Sequence, residues 1–153
     1  IFLLKRFSYK VKEREKSPRK IYCVDTGLCN SLGFRFSENI GRLAENIVFL
    51  ALKRKQILDP QVELFYWKDA LHREVDFVIK DGLKVTSLIQ VCWNIQDEKT
   101  KTRELRSLHK AMKDLNITDA AIITDAAEGE EKLNGYTVKL IPLWKWLLAE
   151  ENL

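Results

Sequence analysis

The sequence predicts an α/β fold with a central mixed β-sheet flanked by helices. Residues 73–94 contain two runs rich in β-branched and aromatic residues around an Asp81-Gly82 turn signal, which predicts a β-hairpin of buried strands. Apolar residues recur at helical spacing over 38–55 and again over 98–115, which predicts two amphipathic helices. Because helices and strands alternate along the chain, the helices are expected to cover the sheet in layers.

The amino-terminal segment is basic. Residues 1–20 hold eight Lys or Arg and two Glu, whereas the whole chain has a net charge of +4, so the remainder is mildly acidic. Ser17-Pro18 is a turn signal. We therefore expect residues 1–19 to be the tail of a preceding region and residues 20–153 to form the domain. A solvated linker is the simpler interpretation of the charge run, and contact with phosphates is the alternative.

The remaining elements are predicted from caps, turn residues and periodicity. Ser37 is a suitable N-cap for the first helix, and Asp97 or Thr100 opens the second. An acidic loop is expected before the last strand. In chain order, the predictions are a strand at 21–24, a helix at 38–55, a strand at 63–68, the hairpin, a helix at 98–115, strands at 117–124 and 136–141, and a helix that begins at Pro142.

The turn of the hairpin decides which side chains share a face. If Asp76 and Gln90 lie on one face, a plain two-residue Asp81-Gly82 loop is excluded, because successive side chains alternate between faces. A three-residue loop over 80–82, with Gly82 in the left-handed conformation and a bulge, satisfies this condition and places Asp76 opposite Thr86. We expect that loop.

Composition excludes several classes of protein. A chain of 153 residues with 46% hydrophobic content is large enough for one domain. It has no apolar run near the ~20 residues that span a bilayer and no signal-peptide pattern, so a cytoplasmic protein without membrane association is expected. It also lacks a phosphate-binding Gly-rich loop with Lys-Ser/Thr, so the chain itself is not expected to hydrolyse ATP.

Three cysteines, an odd number, predict free thiols at Cys23, Cys29 and Cys92.

Several segments together resemble a known family. The quoted residues are Arg19-Lys20-Ile21-Tyr22-Cys23-Val24-Asp25-Thr26-Gly27-Leu28, Gly41-Arg42-Leu43-Ala44-Glu45-Asn46, Glu74-Val75-Asp76-Phe77-Val78-Ile79 and Leu88-Ile89-Gln90-Val91-Cys92. The chain resembles the PD-(D/E)xK nuclease superfamily. More closely, it is similar to the carboxy-terminal nuclease-like domain, labelled as a domain of unknown function (DUF4143), of prokaryotic and archaeal AAA-type ATPases. The resemblance implies a restriction-endonuclease-like sandwich over residues 20–153. Because the first residue is Ile1, the chain is expected to be a fragment whose partner is its own amino-terminal ATPase region.

The resemblance also implies a catalytic and Mg²⁺ site. Glu45 and Asp76 match the helix glutamate and strand aspartate, whereas Gln90 and Cys92 stand where active relatives have an acid and a lysine. An amide oxygen is a weaker, neutral ligand, and a thiol cannot replace an ammonium group. Lys68 is the candidate substitute lysine, with Lys99 and Lys101 as further possibilities. The pocket is expected to be bounded by Glu45, Asp76, Gln90 and Cys92, with Glu74 and Lys68 at its rim.

Three functions follow from the resemblance and the missing groups. The first is a catalytically degraded nuclease-like domain that binds nucleic acid, with DNA as a candidate partner, or regulates the motor. The second is an active Mg²⁺-dependent endonuclease with a displaced lysine. The third is a protein-interaction module that docks on the ATPase through Trp144, Trp146 and the amino-terminal segment.

The helix at 98–115 has a basic face opposite its apolar stripe. Arg103, Arg106, Lys110 and Lys113 recur at helical spacing. Such a ridge is either the ordinary solvent-facing side of a helix or a surface for a nucleic-acid backbone, and both interpretations stay open at this point.

Overall fold

The computed structural model describes residues 1–27 and 40–151, which form a mixed α/β fold with helices on a six-stranded sheet. No helix in these ranges is long and apolar enough to cross a membrane. The elements are β1 (Phe2–Leu4), α1 (Val11–Lys16), β2 (Lys20–Tyr22), α2 (Ile40–Leu58), β3 (Val62–Lys68), β4 (Glu74–Asp81), β5 (Lys84–Val91), α3 (Glu98–Leu115), β6 (Asp119–Thr124), β7 (Gly129–Leu133), β8 (Tyr136–Pro142) and α4 (Leu143–Glu151).

The main sheet has the order β3-β4-β5-β6-β8-β7. The β3, β4 and β5 strands form an antiparallel meander, β5, β6 and β8 run parallel, and β7 pairs antiparallel with β8 at the edge. The parallel connection from β5 to β6 passes through α3, as a parallel pair requires a crossover. The β1 and β2 strands form a separate two-stranded ribbon.

Two hydrophobic cores lie on opposite faces of the sheet. One packs α3 through Leu108, Ala111 and Met112. The other packs α2 through Phe49 and Leu52, together with Trp146 of α4 and Tyr22 of β2. Neighbouring residues of the buried strands alternate between the two cores, because successive side chains point to opposite faces. The fully buried stripe of α3 and its Asp97 N-cap, which accepts a 2.8 Å hydrogen bond from the Thr100 amide, confirm the prediction for that helix.

Some predicted bounds change. The first helix runs from Ile40 to Leu58, and the Ser37 cap lies outside the described residues. The expected acidic loop is instead the strand β7, which pairs with β8. The signal for this hairpin is Asn134-Gly135, whose φ angles of 50° and 83° fit a two-residue primed turn. Its charged sequence is compatible with a strand because an edge strand favours charged side chains.

The central hairpin differs from the prediction in its loop but preserves the predicted parity. The loop is Gly82-Leu83, flanked by the Asp81–Lys84 pair, so the three-residue loop is wrong. A bulge is present, because Thr86 is an extra residue in β5, and Gly82 has the expected left-handed φ of 54°. The bulge shifts the register so that Phe77 faces Ile89, and Thr86 therefore does not lie opposite Asp76.

The amino-terminal segment packs against the rest of the molecule. The β1 strand pairs with β2. The backbone of residues 5–7 forms hydrogen bonds with the backbone of Tyr66 in β3, which is an edge strand of the sheet. Leu4 and Phe7 are buried, one in each core. The proposed domain boundary after residue 19 stays a prediction, but these contacts place β1 where it holds β2 in position.

The prediction of free thiols is correct for Cys92, which is buried, and wrong for Cys23, which is disulfide-bonded. An odd number of cysteines leaves at least one thiol free but does not exclude a disulfide bond at another cysteine. Cys29 lies outside the described residues.

Candidate functional site

A second bulge, in β4, directs the Asp76 side chain away from Gln90 and Cys92, which the sequence predicts to lie beside it. The pairs Phe65–Val78 and Trp67–Val75 leave two residues of β4, Asp76 and Phe77, opposite Tyr66 alone. A bulge bends the strand and changes the direction of the local side chains. As a result, Val75 and Val78 belong to one core and Phe77 to the other. The Asp76 carboxylate accepts a 2.9 Å hydrogen bond from the Val91 amide through Oδ2, and its Oδ1 atom contacts a lysine.

That lysine is Lys20, at the first position of β2. Its Nζ atom lies 2.7 Å from Asp76 Oδ1, 3.0 Å from Glu45 Oε1 and 2.8 Å from Glu74 Oε1. The Lys20 side chain is only 19% exposed, and that of Asp76 only 10%. One ammonium group therefore binds three carboxylates from α2 and β4, and it uses its three donors on them.

The position of Lys20 depends on how β2 is attached to α2. Tyr22 shares a face with Lys20 because they are two residues apart in a strand. The Tyr22 ring stacks on Phe49 at a centroid distance of 4.1 Å, and its hydroxyl donates a 2.7 Å bond to Glu45. The Asn46 side chain bonds both the amide and the carbonyl of Cys23, at 2.8 and 3.1 Å. These contacts fix the strand in the orientation that brings its lysine to the carboxylates.

The electrostatics of the cluster keep Lys20 charged. Burial alone would lower the pKa of the Lys20 ammonium, but Asp76, Glu45 and Glu74 together outweigh burial and raise its pKa above the usual range. Burial, and then the negative charge of Glu45, raise the pKa of Asp76 to about 7, although Lys20 opposes this shift. The Asp76 carboxyl group therefore changes charge near neutral pH.

The neighbouring groups are held in fixed protonation states. Burial and the Glu45 charge raise the pKa of the Tyr22 hydroxyl far above its ordinary value, so it stays a hydrogen-bond donor. Burial would raise the pKa of Glu74, but Lys20 and Lys68 outweigh this and lower it. Lys68 bonds the second oxygen of Glu74 at 3.0 Å. Together these groups form a compact ion cluster in which every carboxylate has a cationic or hydrogen-bonding partner.

Gln90 and Cys92 lie on the side of the sheet that packs against α3. Gln90 Oε1 accepts a 3.0 Å bond from the Asp76 backbone amide, and its Nε2 atom donates a 2.8 Å bond to Glu104 of α3. Cys92 belongs to the core beneath α3, where burial raises its pKa to about 11. The polar atoms of the Gln90 side chain are therefore already bonded, and the Cys92 thiol is neutral at physiological pH.

The structure brings together some of the predicted site residues and not others. Glu45, Glu74 and Asp76 meet around Lys20, and Lys68 lies at the rim through its bond to Glu74. Gln90 reaches only the backbone of Asp76. The two other candidate lysines are elsewhere, since Lys101 pairs with Glu131 at 2.7 Å and Lys99 lines a surface groove along α3.

The residues present do not fit a Mg²⁺ ion in this arrangement. Mg²⁺ requires several oxygen ligands in near-octahedral geometry at about 2.0–2.1 Å. Over residues 1–27 and 40–151, no cluster of three or more His, Cys, Asp or Glu has a geometry that would hold a metal ion. The Lys20 ammonium occupies the space among the carboxylates that a cation would need, and the Gln90 carbonyl oxygen is already bonded to a backbone amide.

Sequence reasoning missed Lys20 and Tyr22 as site residues. Both lie in the quoted segment that begins at Arg19, and their two-residue spacing places them on one face of a strand. This spacing was the available signal. It does not identify the partner, because Lys20 and Asp76 are 56 positions apart.

The comparisons with known proteins assign a family. Residues 40–146 match the family model described as "Domain of unknown function (DUF4143)". An uncharacterized protein of Methanocaldococcus jannaschii is 41% identical over 155 residues; the match covers 97% of this chain and 33% of that protein. The chain thus spans about a third of the length of this relative. No solved structure matches the present chain significantly. Because the family model covers more than half of the sequence, the chain belongs to the DUF4143 family of domains of unknown function.

Proposed function

We propose that this chain is a nuclease-like domain with a restriction-endonuclease-like fold that does not cleave its substrate and instead binds nucleic acid. In this proposal the domain is the carboxy-terminal part of an AAA-type ATPase, where it contacts DNA or RNA for the motor or regulates it. The proposal concerns a binding module, and the motor activity belongs to another part of the longer protein.

One observation carries the proposal. Lys20 Nζ lies within 3.0 Å of oxygens of Glu45, Glu74 and Asp76, and thereby occupies the position among these carboxylates where a metal-dependent phosphodiesterase would place its metal ion. The metal-dependent reaction requires ligands that are free to coordinate, whereas one oxygen of each of these carboxylates is bonded to the Lys20 ammonium. The acid and lysine of the usual motif are also absent, since Gln90 and Cys92 stand at their positions.

Two further observations support the fold and the context. The helix–strand–strand–strand–helix–strand order, with a carboxylate on the first helix and another in the second strand, is the order that the resemblance implies. The match to a relative about three times as long is consistent with a domain that works beside a motor.

The interaction-module alternative has less support. Trp146 is buried in the core with α2 and is therefore unavailable for docking, although Trp144 is 60% exposed. Leu4 and Phe7 of the amino-terminal segment are buried as well.

The test combines cleavage and binding by the 153-residue chain. Labelled single-stranded, duplex and branched DNA, and duplex RNA, are incubated with Mg²⁺ or Mn²⁺, and the Glu45→Gln and Asp76→Asn variants serve as matched controls. We expect no cleavage above these variants. In the absence of metal, we expect binding whose affinity falls steeply with salt, because phosphate contacts release counterions.

Two results would contradict the proposal. Cleavage by the wild type that both variants abolish would support the active endonuclease, with Lys20 rather than Lys68 as the displaced lysine. Absence of binding to every nucleic acid at low salt, by protein shown to be folded by circular dichroism, would remove the binding role.

A further inference from the structure

We infer that the groove along α3 is the surface that holds the sugar-phosphate backbone of a nucleic acid. This inference rests on the proposed nucleic-acid binding and adds to it the surface and the residues responsible. The groove has a volume of about 990 Å³ and lies between the outer face of α3 and the loop before β4.

The groove is strongly basic. Glu98 is the acidic residue in its lining, against six cationic side chains: Arg73, Lys99, Arg103, Arg106, Lys110 and Lys113. A concave surface with one sign of charge concentrates the electrostatic potential and attracts polyanions. Leu71, which is 74% exposed, forms an apolar part of the rim. The ring nitrogen Nε2 of His109, another lining residue, is buried and has no hydrogen-bond partner among the described residues.

The spacing of the charges suits a linear polyanion. The five basic residues of α3 that line the groove follow one another at intervals of four, three, four and three residues, so they form a single stripe along the helix. From Lys99 to Lys113 the stripe is roughly 21 Å long, at 1.5 Å per residue. One strand of duplex DNA has a phosphate about every 3.4 Å along the axis, so the stripe covers about six phosphates.

Half of these cations are available for a ligand. Lys99, Arg106 and Lys113 are exposed and make no ion pair or side-chain hydrogen bond within residues 1–27 and 40–151. The other three have acidic partners: Arg73 pairs with Asp69, Arg103 with Glu104, and Lys110 with Asp114. Surface pairs of this kind contribute little free energy, so phosphate groups can compete for them.

The basic amino-terminal segment is the competing surface, and its charges are mostly satisfied within the protein. Lys5 and Arg19 both pair with Glu15, and Lys10 pairs with Glu13. Arg6 donates a 2.6 Å bond to the carbonyl of Lys68, and Lys20 is buried in the ion cluster. Within residues 1–27 and 40–151, three cations of this segment, Lys12, Arg14 and Lys16, make no ion pair, which equals the number of unpaired cations in the groove. The groove differs in that its α3 cations form one continuous stripe along a long helix.

The groove is also connected to the candidate site. Arg103 bonds Glu104, Glu104 accepts from Gln90, and Gln90 accepts from the amide of Asp76. A phosphate group that binds Arg103 competes with Glu104 for the Arg103 guanidinium. The departure from the usual motif at Gln90 thus joins the ion cluster to the binding surface.

The test uses charge reversal at the two unpaired positions nearest the carboxyl end of α3. Arg106→Glu with Lys113→Glu is compared with a control double variant, Arg54→Glu with Lys84→Glu, which changes the net charge equally at exposed positions outside the groove. Binding of a labelled 20-base-pair duplex DNA, its single strand and the corresponding duplex RNA is measured by fluorescence anisotropy at several salt concentrations. Thermal unfolding shows that each variant is folded.

For the groove variant, we expect affinity to fall at least about tenfold at 100 mM salt. We also expect the slope of log K against log salt to decrease by about two, since each phosphate contact contributes about 0.9. The control variant should retain most of the affinity. The three probes distinguish DNA from RNA and single strands from duplexes.

The outcomes separate this inference from the proposed function. If the wild type binds and both double variants lose affinity equally, the binding function stands and the groove assignment is wrong. If the wild type binds no nucleic acid, both fail. If poly-glutamate displaces the DNA at equal charge concentration, the groove is a site for acidic peptides and the inference is overturned.

Discussion

At the scale of residues, the central feature is the Lys20 side chain and its three carboxylates. Removing charged groups from water is costly, and the attraction among them compensates only when the geometry is good. Here the three distances from Nζ lie between 2.7 and 3.0 Å; the Tyr22 hydroxyl donates to the same Glu45 oxygen that Lys20 contacts, and the Val91 amide donates to the second oxygen of Asp76. The cluster joins β2, α2 and β4, so it has a structural role whether or not it has a chemical one.

Replacing the cation tests that role. Lys20→Met leaves three partly buried carboxylates without it, and we expect the free energy of unfolding to fall by about 3–5 kcal/mol at pH 8. Urea unfolding measures this loss. Lys68→Met is the matched control, and we expect a cost below about 1 kcal/mol because the Lys68 side chain is more exposed and, of the three carboxylates in the cluster, pairs with Glu74 alone.

The loss in the variant should also depend on pH. Burial holds the pKa of Asp76 at about 7 against an ordinary 3.8, and because Lys20 lowers this pKa, we expect it to be higher in the variant. Both folded proteins then bind more protons than their unfolded chains as the pH falls from 8, but the folded variant binds more than the folded wild type, so its stability increases more. The deficit relative to wild type should therefore shrink between pH 8 and pH 5. A constant deficit, or one below 1 kcal/mol at pH 8, would show that the cluster contributes little.

At the scale of elements, the two bulges in the central meander decide which side chains meet. The bulge at Thr86 keeps Phe77 opposite Ile89, whereas an unbroken ladder from the Asp81–Lys84 pair would move every residue of β5 to the other face. The bulge in β4 then turns Asp76 toward α2 while Gln90 points to α3. The tight loop at Gly82-Leu83 alone would give the opposite register, and the bulge at Thr86 corrects it.

The loop gives a direct test. At Gly82 the φ of 54° is the left-handed conformation, in which a Cβ atom costs roughly 1–2 kcal/mol, and apart from Gly82 and its two chain neighbours no described residue has an atom within 4 Å of that Cβ position. We expect Gly82→Ala to lower the free energy of unfolding by about 1 kcal/mol, measured in urea. Gly129→Ala is the control, since its position is equally open and lacks the positive φ. Equal effects of the two substitutions would contradict this account of the turn.

At the scale of the whole molecule, residues 1–19 complete the structure around the cluster. The β1 strand is the strand partner of β2, and Leu4 and Phe7 are buried in the two cores. A strand pair exposed on its own is only marginally stable, so β2 depends on β1 and on α2 for its position. The ion cluster is therefore assembled by parts of the chain that are distant in sequence.

Truncation tests this dependence and the expected domain boundary together. A chain that begins at Lys20 loses two buried apolar side chains, each worth about 1.5–3 kcal/mol, and the partner of β2. We expect a fall in the free energy of unfolding of at least about 3 kcal/mol, seen as a lower melting temperature or a loss of cooperative unfolding. A 153-residue variant with Lys12→Ser and Lys16→Ser removes basic charge without removing buried side chains and should unfold like the wild type. Unchanged stability of the truncated chain would support residues 1–19 as a tail.

The sequence by itself determined the α/β class and the long helices, which follow from periodicity, caps and turn residues that act over a few positions. The family resemblance, and not these patterns, implied that Glu45 and Asp76 belong to one site, and the even register of the hairpin was expected on the condition that Asp76 and Gln90 share a face. Only the tertiary structure decided that Lys20 meets Asp76, that Gln90 bonds Glu104, and that the basic residues of α3 line a groove. These contacts join segments far apart in the chain, and they depend on bulges and packing that short-range patterns do not specify.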